Sequence, residues 1–248
     1  MYAEDYIYYG RNHMYGNSVG KLTDARKAYS SIVTDNILNY RKRLSNGLAL
    51  DVMLGHSFQQ DVSSTASQTG QGFPSDEFDV NTMAAEYIDM KTANSSWSIQ
   101  SFMLRANLNY LDRYLVTISA RTDGSSKFAP KNRYGFFPSV SAGWNISKEK
   151  FWNCSEIDMK IRASVGMTGN QGGIGSYAWQ PLANGGYNYL GESGIALMTQ
   201  GNENLKWEKA SQYNFGIDIS FFDGRLTAVA DIYRKDTKDL LYNKPISA

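Results

Sequence analysis

From Phe136 to Ile146 the sequence alternates, with Phe136, Pro138, Val140, Ala142, Trp144 and Ile146 on one parity and Ser139, Ser141, Gly143 and Asn145 on the other. Period two sustained over this length dictates a β-strand with one apolar and one polar face. The same alternation runs through Phe102–Tyr110, Tyr114–Ala120, Met159–Met167 and Tyr213–Phe221, and more weakly through Leu48–Phe58. Eight strands are expected, near 29–42, 47–59, 97–110, 113–123, 134–147, 158–168, 206–222 and 225–237, with the opening YIYY a ninth candidate. Ser45-Asn46-Gly47, Leu111-Asp112-Arg113 and Asp223-Gly224 have the chemistry of tight hairpin turns. The connection 148–157 is somewhat longer, and 60–96, 124–133 and 169–205 are long excursions. Short and long connections alternate strictly on this reading, so the long loops gather at one end of an antiparallel up-and-down meander. Transmembrane β-barrels keep that arrangement.

Alternation alone fits half of a soluble sandwich equally well, its apolar side turned inward. The rings separate the two cases. On the apolar face Tyr110, Tyr114, Trp144 and Phe221 lie beside the tight turns, while Phe102, Tyr134, Phe136, Tyr213 and Phe215 lie toward the long loops. Between them stand Leu104, Ala106, Val116, Ile118, Val140, Ala142, Ile161, Ala163, Ile217 and Ile219. Two aromatic belts around an aliphatic middle match the two interfaces of a bilayer, whereas a soluble core places its largest rings centrally. The opposite face carries Arg105, Arg121, Asp123, Lys160 and Arg162 among Ser, Thr and Asn, as a wet or plugged lumen would. No run of ~18 consecutive apolar residues occurs, which excludes a membrane-spanning helix. A net charge of +1 gives no field suited to nucleic acid. One cysteine, Cys154, leaves no internal disulfide, and no Cys/His set is spaced for zinc.

The stretches RTDGSSKF, RYGFFPSVSAGW, KIRASVGMTGNQ, GNENLKWEKASQYNFGIDISFFDGRL and DIYRKDTKDLL, with LNYLDRYLVTISARTDGSS and GFPSD, closely resemble the C-terminal barrel region of SusC/RagA-type TonB-dependent outer-membrane transporters. The likeness runs from about Leu48 to the end. It implies an all-β fold, an arc of a large barrel of the 22-stranded type with a plug inside. It also implies the outer membrane of a Gram-negative bacterium, a SusD-like surface lipoprotein as lid partner, and contact with outer-membrane lipid. Energy would come from TonB through an N-terminal segment, and the cargo would be an oligosaccharide or a peptide. Signal, TonB-binding segment and plug are all missing from 1–248, and the strands are too few to close. The expectation is therefore an internal or truncated piece, one partial barrel domain of about 8–9 strands ending at Pro245-Ile-Ser-Ala.

Among candidate sites, the excursion 169–205 combines glycines with Tyr177, Trp179, Tyr187 and Tyr189, rings that stack on sugar faces or peptide side chains. Asn170 and Gln171 supply amides. Phe73, Pro74 and Asp76 give the excursion 60–96 a similar aspect. Either loop also fits the plainer account of folding on its own rings. The lumen charges suit ion pairs with a plug, or simply a solvated wall. DGSSK at 123–127 lacks a following helix and so is no phosphate site. The two histidines, His13 and His56, have no Ser/Asp arrangement around them, and Glu203 and Glu208 form no tuned acid/base pair, so no enzyme, cofactor or metal is expected. The rival readings are a soluble or secreted β-sandwich carbohydrate-binding module and a passive porin.

Overall fold

The computed structural model describes residues 2–15, 19–44, 47–78, 80–154 and 156–242. Ser45 and Asn46 of the first expected turn, and the segment from Pro245 onward, lie outside them. Eleven strands are present among the described residues: β1 (Tyr2–Tyr9), β2 (Lys21–Leu44), β3 (Leu48–Gln71), β4 (Glu86–Tyr110), β5 (Tyr114–Ser125), β6 (Tyr134–Asn145), β7 (Ile157–Asn170), β8 (Leu182–Tyr189), β9 (Glu192–Thr199), β10 (Glu208–Phe221) and β11 (Leu226–Lys238). Nine form one sheet in the order β1-β2-β3-β4-β5-β6-β7-β10-β11, and β8 pairs with β9 apart from it. The fold is thus an all-β antiparallel meander, as its alternation dictates. The opening YIYY does belong to a strand, β1.

Four expectations need correction. Residues 60–96 are mostly strand, because β3 continues to Gln71 and β4 begins at Glu86. Here the sequence reads VSSTASQTG over 62–70, with only Val62 and Ala66 apolar among polar residues on both parities, so the backbone ladder forms with almost no amphipathic signal. β2 likewise starts at Lys21, well before 29. The excursion 169–205 holds the β8–β9 hairpin, whose turn at Leu190 and Gly191 has both residues at positive φ. Finally, the connection 146–156, which includes a 3-10 turn at Ile146–Lys148, is longer than the connection 126–133. The alternation of short and long connections is therefore a tendency and not strict.

The contacts divide the chain into two compact units, residues 34–58 with 99–248 and residues 1–33 with 59–98. In the first, β4 to β7, β10 and β11 are locked in register through Ala106↔Ile118↔Val140↔Val165↔Tyr213↔Arg234. The expected tight turn at 111–113 is present, with Leu111 and Asp112 at positive φ. Asn109 holds it, its amide donating to Asp112 Oδ1 at 2.6 Å while its Oδ1 accepts from the Asp112 N–H at 2.9 Å. In the second unit, β1 and β2 pair from Tyr2↔Ala28 to Tyr9↔Lys21. Leu22 and Phe73 are buried there, and the Tyr8 ring meets Phe73 edge-on at 5.8 Å.

Candidate functional site

In the unit of 34–58 and 99–248 the apolar face is the uncovered one. Phe102, Tyr134, Phe136, Tyr213 and Phe215 are between 44% and 60% exposed, and Leu104, Ile118, Val140 and Val165 are close to half exposed. A soluble sandwich would bury this face, and among the unit's described residues nothing covers it. At the tight-turn end Tyr110, Tyr114 and Trp144 are cross-strand neighbours, with ring centroids 6.3 Å and 6.5 Å apart and nearly parallel planes. Phe221 lies at the same end, half-buried beside the Phe222 ring. The Tyr114 hydroxyl donates to Glu149 Oε1 at 2.6 Å, the Trp144 indole N–H donates to the same oxygen at 3.1 Å, and Arg113 Nη1 stands 3.6 Å from Oε2. The tyrosine bond foremost, then the indole bond, holds the Glu149 carboxyl below the usual range.

The spacing of the belts has a physical meaning. Tyr114↔Trp144 and Gly124↔Tyr134 are ten residues apart along β5. At ~3.3 Å per residue that is about 33 Å of strand. At the ~40° tilt usual for barrel strands this would rise about 25 Å, the height of the apolar band of an outer-membrane barrel. Ile118 and Val140, paired across β5 and β6, then lie near the middle.

The opposite face is a polar ladder. Arg121 Nε reaches Asp123 at 2.7 and 2.9 Å, and its Nη2 donates to Ser101 Oγ at 3.1 Å. Arg162 bridges three strands, from β7 to Asp218 on β10 at 3.1 Å and to Asp231 on β11 at 2.7 Å. Gly216 makes this bridge fit, since a Cβ there would stand 2.7 Å from Arg162 Cζ and 2.5 Å from Asp231 Oδ1. Arg121, Asp123 and Arg162 are therefore satisfied within the wall. Arg105 and Lys160 make no ion pair among the described residues, and Lys160 borders a groove of about 360 Å³ lined by Thr117, Ser141, Ser164, Asn214 and Gly216. Asp231, the second partner of Arg162, was not singled out from the sequence because β11 carries apolar residues on both parities.

Toward the long loops this polar face gives way to a small apolar core of Phe128, Phe137 and Trp207. Phe137 sits against Gly135 and Gly169, either of which would clash with the ring if it carried a Cβ. Trp207 Nε1 donates to the Arg133 carbonyl at 3.0 Å, and Trp179 Nε1 to the Ser126 carbonyl at 3.2 Å. The loop thus folds partly on its own rings. Tyr177 is half-buried, and its carbonyl accepts the Gln180 N–H at 2.9 Å. Asn170 ends β7, donating to Glu208 Oε1 at 3.1 Å and accepting the Gly172 N–H at 2.8 Å. Gln171 Oε1 is buried without a hydrogen-bond partner. The β8–β9 hairpin is different, for Tyr187, Leu190, Ile195, Leu197 and Met198 are all more than half exposed. The Tyr189 side chain lies outside what is described. In the other unit, Phe73 is 1% exposed and serves as core beneath Tyr8. Nearby, Asp76 Oδ1 accepts the Arg11 N–H at 3.0 Å and the Tyr8 hydroxyl at 2.9 Å. Those two bonds, the backbone one first, hold its carboxyl below the usual range.

Comparison with known proteins agrees with this geometry. TonB-dependent receptor P39 of Formosa agariphila is 34% identical over 86% of this chain and 21% of its own length. TonB-dependent receptor SusC of Bacteroides thetaiotaomicron is 34% identical over 77% of this chain and 20% of its own length. The solved structure of the RagAB peptide transporter superposes with a TM-score of 0.88 at 26% identity, over 99% of this chain and 28% of that one. The chain thus spans about a fifth of the length of the curated relatives it matches. Residues 2–248 match the family described as TonB dependent receptor-like, beta-barrel, and to that family the chain belongs.

Proposed function

We propose that the chain is part of the barrel wall of a TonB-dependent importer of glycans or peptides in the outer membrane of a Gram-negative bacterium. The observation that carries this reading is the uncovered apolar face with a ring belt at each end, about one membrane apart. The wall does no chemistry of its own. Its outward side matches the bilayer, while Arg105 and Lys160 on the inward side offer cations to a plug. The exposed β8–β9 hairpin, at the long-loop end, offers apolar surface to a SusD-like lipoprotein or to cargo. Residues 1–248 are read as one partial barrel domain, with TonB acting on another part of the whole protein. The relatives SusC and RagAB support this assignment.

Uptake in cells tests it. Deleting the gene for the whole protein is expected to abolish entry of an oligosaccharide or peptide too large for general porins, and disrupting TonB should have the same effect. Uptake that survives loss of TonB would point to a passive pore and overturn the proposal.

A further inference from the structure

Three rings stand together on the connection that follows β1. Tyr9 and His13 stack with centroids 4.9 Å apart, and Tyr15 lies 5.6 Å from each of them. Tyr9 is half-buried, whereas His13 and Tyr15 are exposed, Tyr15 by 61%. The cluster has a fixed base. The His13 N–H donates to the Gly10 carbonyl at 3.0 Å, the Arg11 N–H donates to Asp76 Oδ1, and Arg11 Nη1 donates to the Pro74 carbonyl at 3.2 Å. The Tyr15 N–H donates to His13 Nδ1 at 3.2 Å, which leaves the proton of the neutral imidazole on Nε2.

These rings are no part of a membrane belt. β2, which follows this connection, runs for 24 residues toward the tight-turn end, against the ~9–11 that cross a bilayer. On the proposed wall reading the cluster therefore lies beyond the apolar band, on the long-loop side. Rings gathered at the surface outside hydrocarbon mark a contact surface, and their rims define the class of partner. The hydroxyls of Tyr9 and Tyr15 and the N–H at His13 Nε2 have no hydrogen-bond partner among the described residues. Charge is not on offer, since Arg11 Nη1 is given to Pro74 and the Asp76 carboxylate to Arg11 and Tyr8. A phenylalanine side chain would cover a ring face and leave the three polar tips unanswered. A sugar ring answers both, with C–H bonds on its face and hydroxyls around its edge.

We infer that Tyr9, His13 and Tyr15 form a surface seat for a neutral pyranose unit of an oligosaccharide. The sugar face stacks on Tyr15, and one of its hydroxyls accepts from His13 Nε2. This inference rests on the importer reading and narrows the cargo at this seat to an uncharged glycan.

Isothermal titration calorimetry of the full-length protein in detergent tests the seat with cellohexaose, mannohexaose and xylohexaose. A neutral phenylalanine-containing decapeptide represents the competing class. Wild type is expected to bind at least one hexaose, and Tyr15→Ala to bind it about tenfold more weakly. Tyr15→Phe keeps the ring face and should retain most of the affinity. Met14→Ala, at a neighbour 81% exposed but without a ring, should match wild type. Wild type that binds none of the hexaoses, or Tyr15→Ala that binds as tightly as wild type, overturns the seat. So does an equal loss in Met14→Ala, or binding of the peptide alone. Uptake in cells separates the two readings. Uptake that survives loss of TonB defeats the importer, whereas TonB-dependent uptake of a hexaose that Tyr15→Ala leaves unchanged defeats only the seat.

Discussion

Val140→Lys places a charge on the face assigned to hydrocarbon, and the structure sets its expected cost. Val140 is 44% exposed, pairs with Ile118 and Val165, and lies four residues from Trp144 and six from Tyr134 along β6. It therefore stands close to the midpoint of the ~25 Å apolar band. A lysine at that depth on a barrel's lipid face costs about 2–4 kcal/mol, roughly a 30- to 800-fold loss in the folding equilibrium. Ser141→Lys, one residue on, points to the polar face between Thr117 and Ser164. There water reaches the ammonium, so the expected cost is below ~1 kcal/mol. Ala142→Lys, outward but nearer the Trp144 belt, should fall between the two. Guanidinium titration of the full-length protein in lipid vesicles measures all three. Equal costs at 140 and 141, or the larger cost at 141, would refute the facing of every strand in this unit.

Glu149→Gln tests the interfacial carboxylate. Because the folded carboxyl is held below its usual range, the stability it adds is present above that range, ~4.3, and is lost as pH falls through the folded value. Wild type should therefore exceed the variant in stability at pH 7, and the gap should close in acid. A gap independent of pH defeats the assignment. Gly169→Ala should cost about 1–3 kcal/mol by forcing Phe137 out of its slot, read as a lowered thermal midpoint; an unchanged midpoint would mean that the ring has room to move. Asp76→Ala removes the acceptor of Tyr8 and Arg11, so tryptic cleavage after Arg11 should accelerate relative to cleavage elsewhere. An unaltered rate would show that the carboxylate does not hold this connection.

Much of the wall was legible because hydrocarbon and water sort side chains with period two. Phe102, Val116, Val140, Ile161 and Ile217 fall where their parity places them. The outer halves of β3 and β4 were not legible. Their residues, such as Ser63, Thr65 and Ser67 in β3, meet no apolar phase, so the ladder alone fixes them and leaves no pattern in the sequence. The doubled phenylalanine shows the same limit more finely. Phe136 follows the outward parity, but Phe137 interrupts a polar face, and only the glycines at 135 and 169 hint that a ring is being given space. Hairpin β8–β9 had a turn signal in Leu190-Gly191, obscured by the glycines that surround it. The loop rings Tyr177 and Trp179 were found by composition, yet composition could not separate Trp179, tied to a backbone carbonyl, from the exposed Tyr187.

The guanidinium of Arg162 meets Asp218 and Asp231 only when three strands are aligned in one way. Sliding β7 by a single residue against β10 would turn every side chain of β7 over and aim that cation onto the apolar face, which on the proposed reading meets lipid and offers no counter-ion. The triad thus works as a proofreading device, making a misaligned wall far costlier than the loss of two surface ion pairs would suggest.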